Sequence, residues 1–381
     1  MKCKKILYVY GGLYIPNGMN AIISQKVNYL ADNTDYEVYV TLTERPELPH
    51  YYKLSKKVKW INFNLNFDEL DIMPIHKKVW RYWWKQRQFK KKLTDYIMKL
   101  HPDIIVSVTR REINFLPDIN DGSKKVAEFH FARPFYRNFH KRNIPQKLNK
   151  LISKLWMKSL IINLKRVDKF VVLTNEDKKN WVELDNVEVI PNFISCVPSI
   201  KSDGTIKRVI AAGRYSEEKG YDKLISAWQI VNQRFPDWRL EIFGSGDNKY
   251  YQDIADSKGL SSSIRCNKAV PNISDYYVES SIYVMSSKYE GFGLVLVEAM
   301  ASGIPVVSFS CPCGPIDIIK DGFNGLLAIN GDIEDLAEKL CFLIGHEDVR
   351  KQLSKNAIVS IDKYRKDVVM QKWIALFDSL N

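Results

Sequence analysis

Short apolar runs rich in β-branched and aromatic residues recur along the chain, separated by stretches in which apolar residues return at helical spacing. In the first half the runs fall at residues 6–10, 37–42, 58–62, 103–108, 126–129, 169–173 and 187–190. In the second half they fall at 207–211, 240–243, 282–286, 305–309 and 325–328. Several are apolar throughout, without alternation, as strands buried on both faces of a parallel sheet are. Between them, segment 222–235 places Leu224, Ile225, Trp228, Val231 and Phe235 at helical spacing, and 333–343 repeats the pattern. Strand–helix alternation predicts βαβ units and an α/β fold. The pattern pauses between Pro191 and Thr205 and then restarts, so a hinge there splits the chain into two comparable halves.

Length supports the split, because 381 residues exceed one ordinary core. With 45% hydrophobic and 27% charged residues the chain reads as globular. No apolar run approaches the ~18–20 residues of a spanning helix, and the opening run at 6–10 meets Gly11-Gly12 at once, as a first strand and not a signal peptide. Six scattered cysteines, of which only Cys311 and Cys313 are close, fit reduced thiols in a cytoplasm and no zinc knuckle. The net charge of +13 is lopsided: residues 1–200 carry +15 and residues 201–381 carry −2. A basic half attracts phosphates of nucleic acid or of anionic lipid alike.

Ligands of open α/β sheets bind beyond the carboxyl ends of strands, so the loops there are the candidate sites. Gly213-Arg-Tyr-Ser-Glu-Glu-Lys-Gly220 follows the run at 207–211 and offers Arg214 and Lys219 to a diphosphate. By itself it is more simply a solvated charged loop. Glu290-Gly-Phe-Gly-Leu-Val-Leu-Val-Glu298 follows the run at 282–286. Gly291, Phe292 and Gly293 lead into a helix opened by Leu294, whose N-terminal N–H groups suit a phosphate. Glu298, one turn in, can accept two hydroxyls of a ribose, and Glu290 stands at the loop mouth; an acidic helix start favoured by the macrodipole explains the pair equally well. Gly244-Ser-Gly246 lacks the third glycine of a dinucleotide fingerprint, and Gly11, Gly12 and Gly18 precede a helix at 19–30; each is also what a simple turn looks like.

Together these residues resemble the family 4 glycosyltransferases, retaining enzymes of the GT-B fold. The stretch from Ser286 to Val307, spanning Glu290 and Glu298, is similar to the family's E-x7-E signature. Gly213-Arg214 with Glu218-Lys219-Gly220 resembles its diphosphate-gripping segment, and Val189-Ile-Pro-Asn192 its interdomain linker. The resemblance implies two Rossmann-like doubly wound domains facing across a cleft. Residues 1–195 would bind the acceptor, 196–366 the nucleotide-sugar donor, and a last helix at 367–381 would cross back to complete the first domain. It implies that Arg214 and Lys219 neutralise the departing diphosphate, Glu298 binds the ribose and Glu290 acts near the transferred sugar. Gly11 and Gly12 would face the phosphates, and His130 would stand beside the reacting sugar. Gly244 and the backbone near Val270 complete the implied donor site, with UDP the expected nucleotide. Ser310-Cys-Pro-Cys-Gly-Pro-Ile-Asp317 resembles a loop of transferases that build bacterial surface polysaccharides, with Asp317 in place of the usual glutamate.

No D-x-D occurs and the six histidines are far apart, so neither metal nor other cofactor is expected. From Pro74 onward a stripe of Ile75, Val79, Tyr82, Phe89, Leu93, Tyr96 and Leu100 is expected to face the core. Trp80 and Trp84 then fall on the far side among Lys77, Arg87 and Lys91. With a second basic tract at 133–169, this suits docking on an anionic membrane and a lipid-linked or glycan acceptor, at the cytoplasmic face of the cell membrane. Rivals are a GT-B-like epimerase or phosphorylase and, from another class, a nucleic-acid-binding protein, for which no reading element is visible.

Overall fold

The computed structural model describes residues 3–136, 146–195 and 197–380, apart from the side chains of residues 75 and 76. The chain divides into two compact units, Met1–Leu173 with Lys178–Ile190 and Met370–Asn381, and Thr174–Asp177 with Pro191–Val369.

The first unit is built on seven strands: β1 (Lys5–Val9), β2 (Glu37–Leu42), β3 (Lys59–Asn62), β4 (Ile104–Ser107), β5 (Lys124–Glu128), β6 (Lys169–Val172) and β7 (Val187–Val189). All pair in parallel, in the order β3-β2-β1-β4-β5-β6-β7. The central strands are apolar throughout because helices cover both faces; the edge strand β3 is largely exposed. Its helices are α1 (Gly18–Asn33), α2 (Ile75–Leu100) and α3 (Gln146–Leu164), with a short α4 (Asn175–Asn180). Helix α1 begins where the Asn17 side chain accepts the Asn20 N–H at 2.8 Å, a cap worth about 1 kcal/mol.

The second unit holds β8 (Arg208–Ala212), β9 (Arg239–Gly244), β10 (Ile264–Lys268), β11 (Ile282–Met285), β12 (Val306–Phe309) and β13 (Gly325–Ala328), parallel in the order β10-β9-β8-β11-β12-β13. Its helices are α5 (Tyr221–Arg234), α6 (Asn248–Ser257), α7 (Ile273–Val278), α8 (Leu294–Ala301), α9 (Pro315–Ile318), α10 (Ile333–Gly345) and α11 (Glu347–Ser360), followed by α12 (Lys366–Ser379).

Each sheet reverses its strand order once, between β1 and β4 and between β8 and β11. Loops on either side of such a point part and leave a crevice, which is where ligands of doubly wound sheets bind.

Two expectations need correction. Strand β10 was not read from the sequence: at the sheet edge only Ile264 and Cys266 of its five residues are buried, so it alternates instead of running apolar. Contacts divide the units at Ile190/Pro191, where Phe193 is buried and Ile194 bridges to Arg365, both within the second unit. In α2, Phe89 and Leu93 are buried and Tyr82, Tyr96 and Leu100 pack against the same core, but Val79 is exposed; Ile97 and the stem of Lys85 occupy inward positions. The Lys85 ammonium is buried among the Leu65 and Asn66 carbonyls and the Glu69 carboxylate, which lets a cation sit on the inner side. Of the second basic tract, residues 137–145 lie outside the described residues.

Candidate active site

The loop after β8 and the loop after β11 meet at the second reversal point. Gly220, with φ 61°, ends a 3-10 turn and opens α5; a Cβ there would lie 2.3 Å from the Ser286 carbonyl oxygen. Only glycine fits, and the tight contact joins the two loops. The Ser286 hydroxyl donates to the Lys219 carbonyl at 2.8 Å, and the Lys288 N–H to the Glu218 carbonyl at 2.8 Å. Lys219 is thereby held with its ammonium 2.7 Å from Glu290 Oε1, which also accepts the Ser287 hydroxyl at 2.6 Å. Both side chains are largely buried, so the pair is weakly screened.

Beside this pair stands the N-terminus of α8. Among the described residues the N–H groups of Gly291, Phe292, Gly293, Leu294 and Val295 donate to no protein acceptor. Orphan donors on the positive end of a helix are a preformed phosphate site. Phe292 itself is buried, its ring 5.5 Å from that of Tyr364, and this packing fixes the loop. Glu298 lies on the second turn. Its carboxylate has no hydrogen bond or ion pair among the described residues, and burial pushes its pKa up to about 7. An acid left unpartnered in the fold awaits a partner from outside.

The other donor-side residues are more loosely tied. Arg214 is 69% exposed and pairs with Glu218 at 2.7 Å. Gly213 precedes it, and its carbonyl oxygen would lie 1.9 Å from any Cβ at Gly244. Gly244 therefore lets the loops after β8 and β9 touch, and the Tyr215 N–H to Ser245 carbonyl bond of 2.7 Å continues that contact. Val270 is half-buried in the loop after β10, at the same edge of the sheet.

In the first unit, His130 follows β5, its Nε2 2.9 Å from Glu128 Oε1. Glu128 is fully buried and also pairs with Lys26, whose ammonium lies 3.9 Å from the centroid of the Trp373 ring. Burial alone would raise the Glu128 pKa, but Lys26 and His130 outweigh it and hold the carboxyl well below the usual range. Gly11 and Gly12 follow β1, and the Gly11 carbonyl accepts the N–H groups of Thr43 and Glu44. Nearby, Tyr14, Glu44, Arg45, His50, Lys53 and Trp60 help to line a pocket of about 530 Å³. Burial raises the Glu44 pKa against the pull of Arg111, 3.5 Å away.

Residues 197–359 match the family model described as glycosyl transferases group 1. An uncharacterized glycosyltransferase of Haemophilus influenzae is 28% identical over 290 residues, 74% of this chain and 78% of the relative. The poly(ribitol-phosphate) alpha-N-acetylglucosaminyltransferase of Staphylococcus aureus is 29% identical over 227 residues, 58% of this chain but 46% of that protein. A crystal structure of a Staphylococcus aureus TarM variant in complex with fondaparinux, alpha-GlcNAc-glycerol and UDP aligns with a TM-score of 0.75 at 17% identity, over 98% of this chain and 100% of that one. The fold is GT-B. The family model and the relatives support a glycosyltransferase built on it.

In this GT-B chain several residues of the site were not singled out beforehand. Ser287 and Glu218 hold the two charged groups of the second unit, and Lys26 and Glu128 stand behind His130. Asp317 accepts the Glu176 N–H at 2.9 Å, while Glu176 accepts the Cys313 N–H at 2.9 Å and the Pro312 carbonyl accepts the Glu290 N–H at 3.1 Å. The loop 310–317 thus braces Glu290 from behind. Ser287, three residues before Glu290, and Glu128, two before His130, were open to sequence reasoning, and Glu218 and Asp317 stood within the motifs already quoted; Lys26 and Glu176 are distant in sequence from their partners and carried no local signal.

Proposed function

We propose that the chain transfers a sugar from a nucleotide-sugar donor, a UDP-sugar, to a glycan or lipid-linked acceptor with retention of anomeric configuration. The observation that carries this reading is the convergence, at one reversal point, of the Lys219–Glu290 pair, the orphan N–H groups of Gly291 to Val295 and the unpartnered Glu298. Loss of a nucleoside diphosphate builds charge on the leaving phosphate, and fixed cations and backbone dipoles are what stabilise it. Lys219 and Arg214 are assigned to the diphosphate and the α8 N-terminus to its distal phosphate. Glu298 takes the ribose hydroxyls, Glu290 the transferred sugar, and the backbone around Val270 the base. Donor binding by Lys219 frees Glu290 from its present partner, so the two act as one unit.

Within the first unit, His130, Gly11 and Gly12 are proposed to serve the same reaction, and the pocket at Tyr14 and Trp60 to receive the acceptor. The reaction is proposed to need no bound metal or other cofactor. The poly(ribitol-phosphate) named for the Staphylococcus relative, and the UDP in the TarM complex, support a role in bacterial surface polysaccharide synthesis with a UDP-sugar donor; its place is proposed to be the cytoplasmic side of a membrane. Among the described residues no helix is long and apolar enough to cross a membrane.

Thermal-shift binding across UDP-, GDP-, ADP- and TDP-sugars tests the donor site. Stabilisation by one nucleotide class that is lost in Glu298→Ala supports the reading; no shift with any donor sinks it. Turnover in excess chelator tests metal independence, and the anomeric configuration of the product, read by NMR, tests retention. Change of the donor sugar without an acceptor would mark an epimerase instead.

A further inference from the structure

Helices α2 and α3 cover the same face of the first sheet. The register settles this: Leu7 pairs with Ile105, Ser107 with Ala127, and Ala127 with Phe170, so these residues project from one face. Helix α2 packs on Leu7 and Ile105, and α3 packs on Ala127 and Phe170. Asp118, between the two, pairs with Lys90 of α2 at 3.6 Å and with Arg166, just past α3, at 2.8 Å. Each helix returns the chain from the carboxyl end of one parallel strand to the start of another, so its N-terminal half lies at the carboxyl end of the sheet.

The outer sides of those N-terminal halves are apolar. On α2, Trp80 and Trp84 are 67% and 46% exposed, with Trp83 and Val79 beside them. On α3, Leu148, Leu151 and Leu155 form an outward stripe, the last two 53% and 58% exposed, with Trp156 alongside. Cations surround both patches. Helix α2 carries eight Lys and Arg besides the buried Lys85, against one acid, Asp95, and α3 carries four Lys and no acid. Trp83 lies under Arg87 at 4.6 Å, ring and cation presented together. A soluble surface does not gather such side chains on one face without a use for them.

We propose that the outer face of α2 and α3 docks on an anionic lipid bilayer, with the tryptophans and leucines entering the headgroup boundary and the lysines and arginines meeting lipid phosphates. This deepens the reading of a lipid-linked acceptor and rests on it for the purpose of docking. Charge complementarity selects the occupant. A second copy of this chain would bring the same cations to the face, and a nucleic acid backbone would pair with the cations but leave the leucine stripe in water. Docking there presents the carboxyl end of the first sheet, with its pocket, to the membrane surface.

The test is flotation of the full chain with vesicles of phosphatidylcholine alone and of phosphatidylcholine with phosphatidylglycerol, at low and high salt, beside binding to duplex DNA. The donor thermal shift is measured in parallel. The expected result is binding to the anionic vesicles only, weakened by salt, and reduced about tenfold in Trp80→Ser/Trp84→Ser and in Leu151→Ser/Leu155→Ser. The donor shift should be unchanged in both. The charge variant Lys150→Glu/Lys154→Glu gives the same answer should the apolar variants fold poorly. Absence of vesicle binding, equal binding to neutral vesicles, indifference to these variants, or tighter binding to DNA overturns the proposal. A normal donor shift without vesicle binding overturns docking alone; vesicle binding without any donor shift overturns the transferase reading alone.

Discussion

The two units share one plan, a parallel doubly wound sheet with a single reversal of strand order, yet they arm their reversal points differently. In the second unit the chemistry sits on loops. Lys219 and Glu290, 71 residues apart, are held where the loops after β8 and β11 touch, and the open N–H groups of α8 and Glu298 follow Glu290 within one short helix. In the first unit His130, just past β5, rests on Glu128, a buried carboxylate two residues before it, which pairs in turn with the buried Lys26 ammonium of α1. The second unit leaves backbone donors and Glu298 unpaired, whereas the first buries a linked Lys26–Glu128–His130 cluster in which Glu128 Oε2 makes no hydrogen bond. Buried ion pairs add little net stability but are costly to break on one side only, so the two units should respond oppositely to substitution.

The largest effect is expected at Glu128→Ala, which strands Lys26 in the core beside Trp373. Urea unfolding should show a loss of about 3–5 kcal/mol, and Lys26→Met/Glu128→Leu should recover most of it. A double variant no better than the single one would mean the charges themselves hold the unit. Next comes Gly220→Ala. Its left-handed φ and the carbonyl 2.3 Å from the new methyl predict a loss of about 1–3 kcal/mol and a weaker donor shift, as the Lys219 loop moves from Ser286. An unchanged donor shift would show that the loop contact does not position Lys219.

This contrast also explains what could be read without a structure. Twelve strands were visible because each carries a short run rich in β-branched or aromatic residues, continuous where the strand is buried on both faces; β10, an edge strand of Ile, Arg, Cys, Asn and Lys, lacks one. Glu290 and Glu298 were legible because the helix that presents them is continuous in sequence. The partnership of Lys26 with Glu128, 102 residues apart, and its cover by Trp373 depend on sheet order and carried no local pattern. Val79 was misassigned because helical spacing gives a face, not where the core beneath that face ends.

The pH dependence of the second unit follows from Glu298. The carboxyl ionises near its ordinary 4.5 in the unfolded chain and near 7 in the fold, because burial disfavours the charge. Between those values the folded chain holds the extra proton, so this contribution to stability is complete below about 4.5 and is lost as pH rises to 7. The loss is on the order of 1–3 kcal/mol, and Glu298→Gln should flatten it in urea titrations at a series of pH values. Donor affinity should move the other way, rising through the same window as the carboxylate proposed for the ribose hydroxyls forms. If the affinity of the wild type does not rise with pH, Glu298 does not bind as a carboxylate.

Arg214 gives the smallest expected stability change and the finest comparison within one loop. Its pair with Glu218 is solvent-exposed, and such pairs contribute about 0–1 kcal/mol, so Arg214→Ala should leave thermal unfolding almost where it was. Lys219, tucked against Glu290, is the opposite case and should cost both stability and donor binding. If Arg214 leaves Glu218 to grip the diphosphate, its removal lowers kcat/KM by roughly 10- to 100-fold, the worth of one charge-assisted contact. Arg214→Lys should recover part of that loss, because a point charge replaces the fork but not its two parallel bonds. An Arg214→Ala enzyme with normal kcat/KM would leave Lys219 and the α8 N-terminus to carry the leaving group without it.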